Sequence, residues 1–454
     1  MHFDHIIIGA GQAGPPLASS ISDHGGKVAI IEKGFLGGTC VNTGCTPTKA
    51  YIASARRAWI AKQSGDMGIY TNGQVIVDLP KIKQRKDQLI RDSRKNLEKE
   101  LTERRNITLF RGTAEFAGPN QVKVNDQLLQ GDYIHINTGA RPVIPEGYEK
   151  INWLTNESIL ELETLPDHLI IVGGGYLALE FGQMFHRLGS KVTLLVRGNR
   201  LMTKEDEDVS EDVLKILRKE GLDIRMNAEV CEANQTSEGV FLKISSQDEI
   251  ESMAGTHLLL ATGRRPNTDD LNLEKAGVKC DEKGYIQVDD ALVTTVSHIR
   301  ALGDCNGQGA FTHTSYNDFQ IVASQLFGDH KRYLSDRILC YGIYIDPALA
   351  RVGMNEQQIR EKNISAKVAV IPMREIARAK EKGETEGKLK IFVDSQKNTF
   401  LGASFLGTGA DEYIHSIIDM MYSNSAYSVV RDAVHIHPTM SELLPSILEN
   451  LEDL

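Results

Sequence analysis

Apolar residues along this chain fall into two alternating patterns: short unbroken runs, and faces spaced at helical intervals. His5-Ile6-Ile7-Ile8 and Val28-Ala29-Ile30-Ile31 have the length and branching of strands buried on both faces. Between them lie Gly9, Gly11 and Gly14 and a helix-like stretch from Leu17 to Ser22. The same order returns at Leu169-Ile170-Ile171-Val172, a glycine run, a helix to Leu188 and a strand from Lys191 to Val196. Strand, glycine turn, helix and strand twice over predict an α/β chain with two Rossmann-like units. Residues 81–105 interleave both charge signs, with Ile90, Leu97 and Leu101 on one narrow face, which predicts a solvated helix. Arg374 to Lys382 is a second mixed run, expected near the surface.

Composition narrows the classes. A chain of 454 residues leaves room for about three domains. Its formal net charge of −10 argues against nucleic acid and anionic membrane surfaces as partners. No stretch approaches the ~20 apolar residues of a membrane span, and the first strand begins at Phe3 with no basic leader. The chain therefore reads as soluble and cytoplasmic. Its six cysteines form no disulfide framework. Cys231, Cys280, Cys305 and Cys340 read as buried or incidental thiols.

The glycine turns carry the first chemistry. In Gly9-x-Gly11-x-x-Gly14 the glycines let the backbone approach a pyrophosphate at a helix N-terminus, and Glu32 ends the next strand where it can bind a ribose hydroxyl. The second unit, Gly173-Gly174-Gly175-Tyr176-Leu177-Ala178, ends its strand on Val196-Arg197 with no acid. Arg197, with Arg200 close by, suits a 2′-phosphate, so NADPH is expected rather than NADH. Two nucleotide sites in one chain imply electron transfer between two cofactors.

Cys40 and Cys45 lie just downstream, in Gly37-Gly38-Thr39-Cys40-Val41-Asn42-Thr43-Gly44-Cys45-Thr46-Pro47-Thr48-Lys49. A thiol pair beside a nucleotide site is a candidate two-electron relay. Ile136-Asn137-Thr138-Gly139-Ala140-Arg141-Pro142, Ala261-Thr262-Gly263-Arg264-Arg265-Pro266, Ala301-Leu302-Gly303-Asp304 and His435-Ile436-His437-Pro438-Thr439-Met440-Ser441-Glu442 follow in order. From Asp4 to Leu444 this series resembles the flavin-dependent pyridine nucleotide–disulfide oxidoreductases, the family of glutathione reductase, dihydrolipoamide dehydrogenase and mercuric reductase.

The resemblance implies an FAD domain in two segments (1–146 and 267–335), an NAD(P) domain between them (147–266) and an α+β dimerisation domain (336–454). It places FAD along Gly9, Gly11, Gly14, Glu32, Lys33, Gly38, Thr39, Lys49, Ala114, Thr138, Gly139 and Asp304. The pyridine nucleotide falls to Gly173, Gly175, Tyr176, Arg197 and Gly263, with Tyr176 as the lid over the nicotinamide pocket. By the same analogy Cys45 is the thiol nearest the flavin and Cys40 the outer thiol that attacks substrate. Lys49 pairs with Glu180 beside the flavin, and His437, oriented by Glu442, is the base. In the family that base comes from the other subunit of a homodimer. His435 and His437 have no cysteine or carboxylate cluster around them, so no resident metal is expected.

Substrate stays open at this level. The segments 311–318 and 378–387 are similar to mercuric-reductase-like members. Mercuric reductase proper carries a vicinal cysteine pair near its C-terminus, whereas Leu443 to Leu454 holds none, which argues against efficient mercury detoxification. A metal ion or small oxidant, a low-molecular-weight disulfide or dihydrolipoamide, and a redox-sensor role for the cysteine pair are the three readings. Arg300, before Ala301, stands where the family usually has an aromatic residue.

Overall fold

The computed structural model of the protein describes residues 1–70, 73–246 and 249–454. Strand β1 (His2–Ile8) leads through α1 (Gly14–Asp23) to β2 (Val28–Glu32). Helix α1 begins three residues before the expected Leu17, because Pro15 and Pro16 occupy its first turn, where a missing N–H costs nothing. Helices α2 (Gly38–Asn42), α3 (Cys45–Gln63) and α4 (Leu79–Thr102) precede β3 (Ile107–Arg111), β4 (Ala114–Gly118), β5 (Gln121–Val124) and β6 (Gln127–Ile136). The sheet order is β3-β2-β1-β6-β5-β4, with β1, β2, β3 and β6 parallel. Ligands of such sheets lie beyond the carboxyl ends of the parallel strands, where Gly9 follows β1.

Helix α4 corrects one expectation. Its Asp78 cap accepts from the Lys81 N–H, and Ile90 and Leu101 are buried as their spacing required. Lys86, however, is only 1% exposed, and its ammonium donates to the Leu160 carbonyl (3.2 Å) and to Glu161 Oε1 (2.6 Å). One face of this charged helix is docked.

After β7 (Ala140–Pro142), the second unit runs β8 (His168–Val172), α5 (Tyr176–Leu188), β9 (Lys191–Val196), α6 (Glu207–Glu220) and β10 (Asp223–Met226). An antiparallel meander, β11 (Ala228–Thr236), β12 (Gly239–Ser246) and β13 (Glu249–Gly255), precedes β14 (His257–Leu260), which completes the parallel sheet β10-β9-β8-β14. Strand β15 (Arg264–Pro266) pairs with β7, and β16 (Ile299–Ala301) returns to pair with β6 of the first sheet. Helix α7 (Thr312–Phe327) follows.

Strands β17 (Cys340–Ile343), β18 (Leu349–Gly353), β19 (Ala366–Pro372), β20 (Lys388–Asp394), β21 (Phe400–Leu406) and β22 (Glu452–Asp453) form an antiparallel sheet in the order β17-β18-β21-β20-β19-β22. Leu444, Ile447 and Leu448 are buried against it, and β22 pairs with β19, so the last residues are tied into this sheet. Among the described residues, no helix is long and apolar enough to cross a membrane.

Candidate active site

Gly9 is in the left-handed region (φ +105), and a Cβ there would lie 2.2 Å from the Asn137 carbonyl oxygen. A Cβ on Gly14 would meet the Gly9 carbonyl at 2.3 Å. Both glycines allow β1, β6 and α1 to converge. Asn137 locks this junction: its Oδ1 accepts from the Gly14 N–H (3.0 Å) and its Nδ2 donates to the Leu302 carbonyl (2.9 Å). Asn137 stands inside the motif Ile136 to Pro142, whose sequence marks no role for it. Its partners are 123 and 165 residues away, a distance no local signal reveals.

The strand ends surround a cavity of about 1330 Å³. On one side it meets Gly9, Gly11, Glu32, Lys33, Gly38 and Thr39; on another, Ala114, Thr138, Gly139 and Asp304. Glu32 accepts from the Ala10 N–H (2.8 Å) and the Gly34 N–H (2.7 Å), so its carboxylate is fixed at the wall. At Gly139 (φ +69) no atom lies within 4 Å of a built Cβ, leaving open space along the strand end. Burial pushes the Asp304 carboxyl upward. An extended dinucleotide fits this volume, its anchoring carboxylate and the open glycine. Gly14 lies behind the wall as packing and does not line the cavity.

Cys40, Cys45, Lys49, Tyr176 and Glu180 line the same cavity. Cys45 begins α3, and its Sγ lies 3.1 Å from the Thr312 Oγ1 at the start of α7. A hydrogen bond from the Cys40 thiol, with help from the Thr312 hydroxyl and the Lys49 charge, lowers the Cys45 thiol to about 6. The same bond raises Cys40, which keeps the shared proton, and burial adds to that rise. Lys49 returns to the Cys45 side of α3 one turn later and pairs with Glu180 on α5 at 2.7 Å. Glu180 is buried, and its other oxygen accepts from the Tyr344 N–H (2.8 Å), while the Lys49 ammonium sits 4.6 Å from the Tyr344 ring centroid. No sequence signal marks Thr312, which lies 267 residues from the cysteine it contacts.

Gly173, Gly174 and Gly175 of the second glycine turn do not line this cavity, although Tyr176 and Leu177 directly after them do. A Cβ on Gly173 (φ +144) would meet the Ala261 carbonyl at 2.4 Å, whereas Gly175 and Gly263 open onto free space. Gly175 precedes the 13-residue helix α5, whose N–H groups suit an anion. Arg197 is exposed at the end of β9, and among the described residues neither it nor Arg200 has a carboxylate partner.

His437 Nδ1 and Glu442 Oε2 are 2.8 Å apart, but the His437 side chain is 75% exposed and does not line the cavity. One chain does not bring it to the cysteines. Of the other thiols, Cys305 is buried and Cys231 exposed, while Cys340 is half-buried and lines the cavity. The Arg300 guanidinium packs 5.9 Å from the Tyr133 ring centroid; nothing in the structure explains its buried, unpartnered Nε and Nη1.

Residues 3–318 match the family described as pyridine nucleotide-disulphide oxidoreductase, and residues 340–447 match its dimerisation domain. The chain belongs to the pyridine nucleotide–disulphide oxidoreductases. It is 35% identical to a probable pyridine nucleotide-disulfide oxidoreductase, RclA, of Escherichia coli K12, over 97% of this chain and 98% of that protein. It is 33% identical to a mercuric reductase of Staphylococcus aureus, over 97% of this chain and 81% of that one. The solved Cu(II) complex of the HOCl-induced flavoprotein disulfide reductase RclA from E. coli superposes with a TM-score of 0.90, at 34% identity and 99% coverage of both chains. This pyridine nucleotide–disulphide oxidoreductase is thus an FAD-dependent enzyme that uses a pyridine nucleotide.

Proposed function

We propose that this enzyme takes electrons from NADPH, stores them on Cys40 and Cys45, and gives them to a small sulfur-seeking acceptor such as a thiol-bound soft metal ion. The observation that carries the reading is the Cys45 thiol, held beside Cys40, Thr312 and the Lys49–Glu180 pair in a cavity sized for FAD. Bound FAD supplies two-electron chemistry, accepting hydride from reduced nicotinamide and reducing a disulfide. Cys45 then rests as the thiolate, favoured by the hydrogen bonds and charge around it, and Cys40 keeps the proton. Cys40 is the thiol that attacks substrate once that proton leaves. The partner subunit's His437, oriented by its own Glu442, is the proton acceptor, which makes the homodimer the catalytic unit.

Two features support NADPH: the exposed Arg197 at the end of β9, and the lack of an acid there that would repel a 2′-phosphate. Relatives support a soft-metal acceptor, since one is solved as a Cu(II) complex and others are named mercuric reductases. Reduction of a small disulfide is the second reading, favoured by the description of that same relative as a disulfide reductase. NADPH oxidation with thiol-bound Hg(II) or Cu(II), beside the same assay with glutathione disulfide, separates the two. Metal-dependent turnover lost in Cys40→Ser supports the first; turnover with the disulfide alone supports the second.

A further inference from the structure

Phe311 caps the start of α7, and its ring packs against those of Tyr176 on α5 and Tyr341 on β17. Its centroid is 5.7 Å from that of Tyr176 and 5.3 Å from that of Tyr341, the latter pair stacked with ring planes nearly parallel at 9°. The Tyr341 phenol donates to Glu205 Oε1. The other oxygen of Glu205 accepts from Arg351 Nε (2.7 Å), and Arg351 Nη2 donates to Asp206 Oδ2 (3.0 Å). All three ionic groups are buried.

Glu205 also ends the turn that follows β9 and carries Arg197 and Arg200. Its N–H donates to the Met202 carbonyl (2.8 Å), and the Met202 N–H donates to the Gly174 carbonyl (3.0 Å) in the second glycine turn. Arg200 Nη2 donates to the Thr203 carbonyl (2.9 Å). A continuous set of contacts therefore runs from the arginine-bearing turn, through Glu205, Tyr341 and Phe311, to the ring of Tyr176.

Burying two carboxylates around one guanidinium is a poor way to join two domains, because apolar side chains of similar volume do so at lower desolvation cost. What such a pair offers is geometry. With both oxygens engaged, Glu205 fixes where the Tyr341 hydroxyl sits, and so the plane against which Phe311 stacks and, through Phe311, where Tyr176 rests.

We propose that Tyr341, held by Glu205, is a positioning residue that couples occupancy of the Arg197–Asp206 turn to the placement of Tyr176. This rests on the reading that the second glycine turn holds the pyridine nucleotide. A nucleotide whose adenosine end engages the turn would then reduce the flavin faster than one without that end.

The test compares the limiting rate of flavin reduction by NADPH and by reduced nicotinamide mononucleotide, in the wild-type holoenzyme and in Tyr341→Phe. The variant keeps the aromatic stack and loses one hydrogen bond to a carboxylate. The wild type should be faster with NADPH, and the variant should lose about tenfold of that advantage while its rate with the mononucleotide stays the same. Equal wild-type limiting rates, equal slowing of both donors in the variant, or no change in either would overturn the coupling alone. A wild-type flavin that NADPH does not reduce would overturn the functional reading and the coupling with it.

Discussion

Cys45 is held between a donor thiol, a hydroxyl and a lysine, and each has a measurable consequence. Its thiolate persists above a pH of about 6 and is protonated as pH falls through that value. In the reduced holoenzyme, alkylation of Cys45 followed by peptide mapping should therefore rise through pH ~6, well below the ordinary thiol value near 8.5. Thr312→Val removes one hydrogen bond to the thiolate and should move that midpoint up by about one pH unit. An unchanged midpoint would show that the hydroxyl does not stabilise the charge. At the other nucleotide turn, Arg197→Ala should raise the KM for NADPH about tenfold and leave that for NADH alone, as expected for the loss of one charge-assisted contact.

At the level of elements, the runs that make β1, β2, β8 and β9 were legible because strands buried on both faces need continuous apolar sequence. The meander β11–β13 was not, since its strands are more polar than those and carry no cofactor motif. The same limit hid the role of α7. Its first residue, Thr312, reaches a cysteine 267 positions earlier, and the positive end of a 16-residue helix points there too. The Lys49–Glu180 contact spans 131 residues and could be anticipated only from family resemblance. Helix α4 shows how a charge run misleads, because sign alternation says nothing about which lysine is docked. Removing the buried ammonium in Lys86→Ala should lower stability by about 1–3 kcal/mol, read from the urea midpoint. Lys86→Met should recover part of that loss by restoring the apolar stem.

On the scale of the whole molecule, His437 is largely exposed and stands apart from the cavity that Cys40 and Cys45 line, which is what the proposed two-subunit site requires. Mixed dimers make this measurable: Cys40→Ser and His437→Ala homodimers should both be nearly inactive, while their heterodimer holds one site with every group intact. Activity recovered on mixing places the base in trans, and none recovered would place it in cis.

In the proposed cycle the cysteine pair stores electrons passed on from the flavin. Anaerobic dithionite titration of the holoenzyme tests it most directly. The wild type should take up twice the reducing equivalents per subunit that Cys40→Ser does, with the first half consumed before the flavin bleaches. Equal uptake by both proteins would leave the flavin as the sole electron store and rule out a redox role for the cysteine pair.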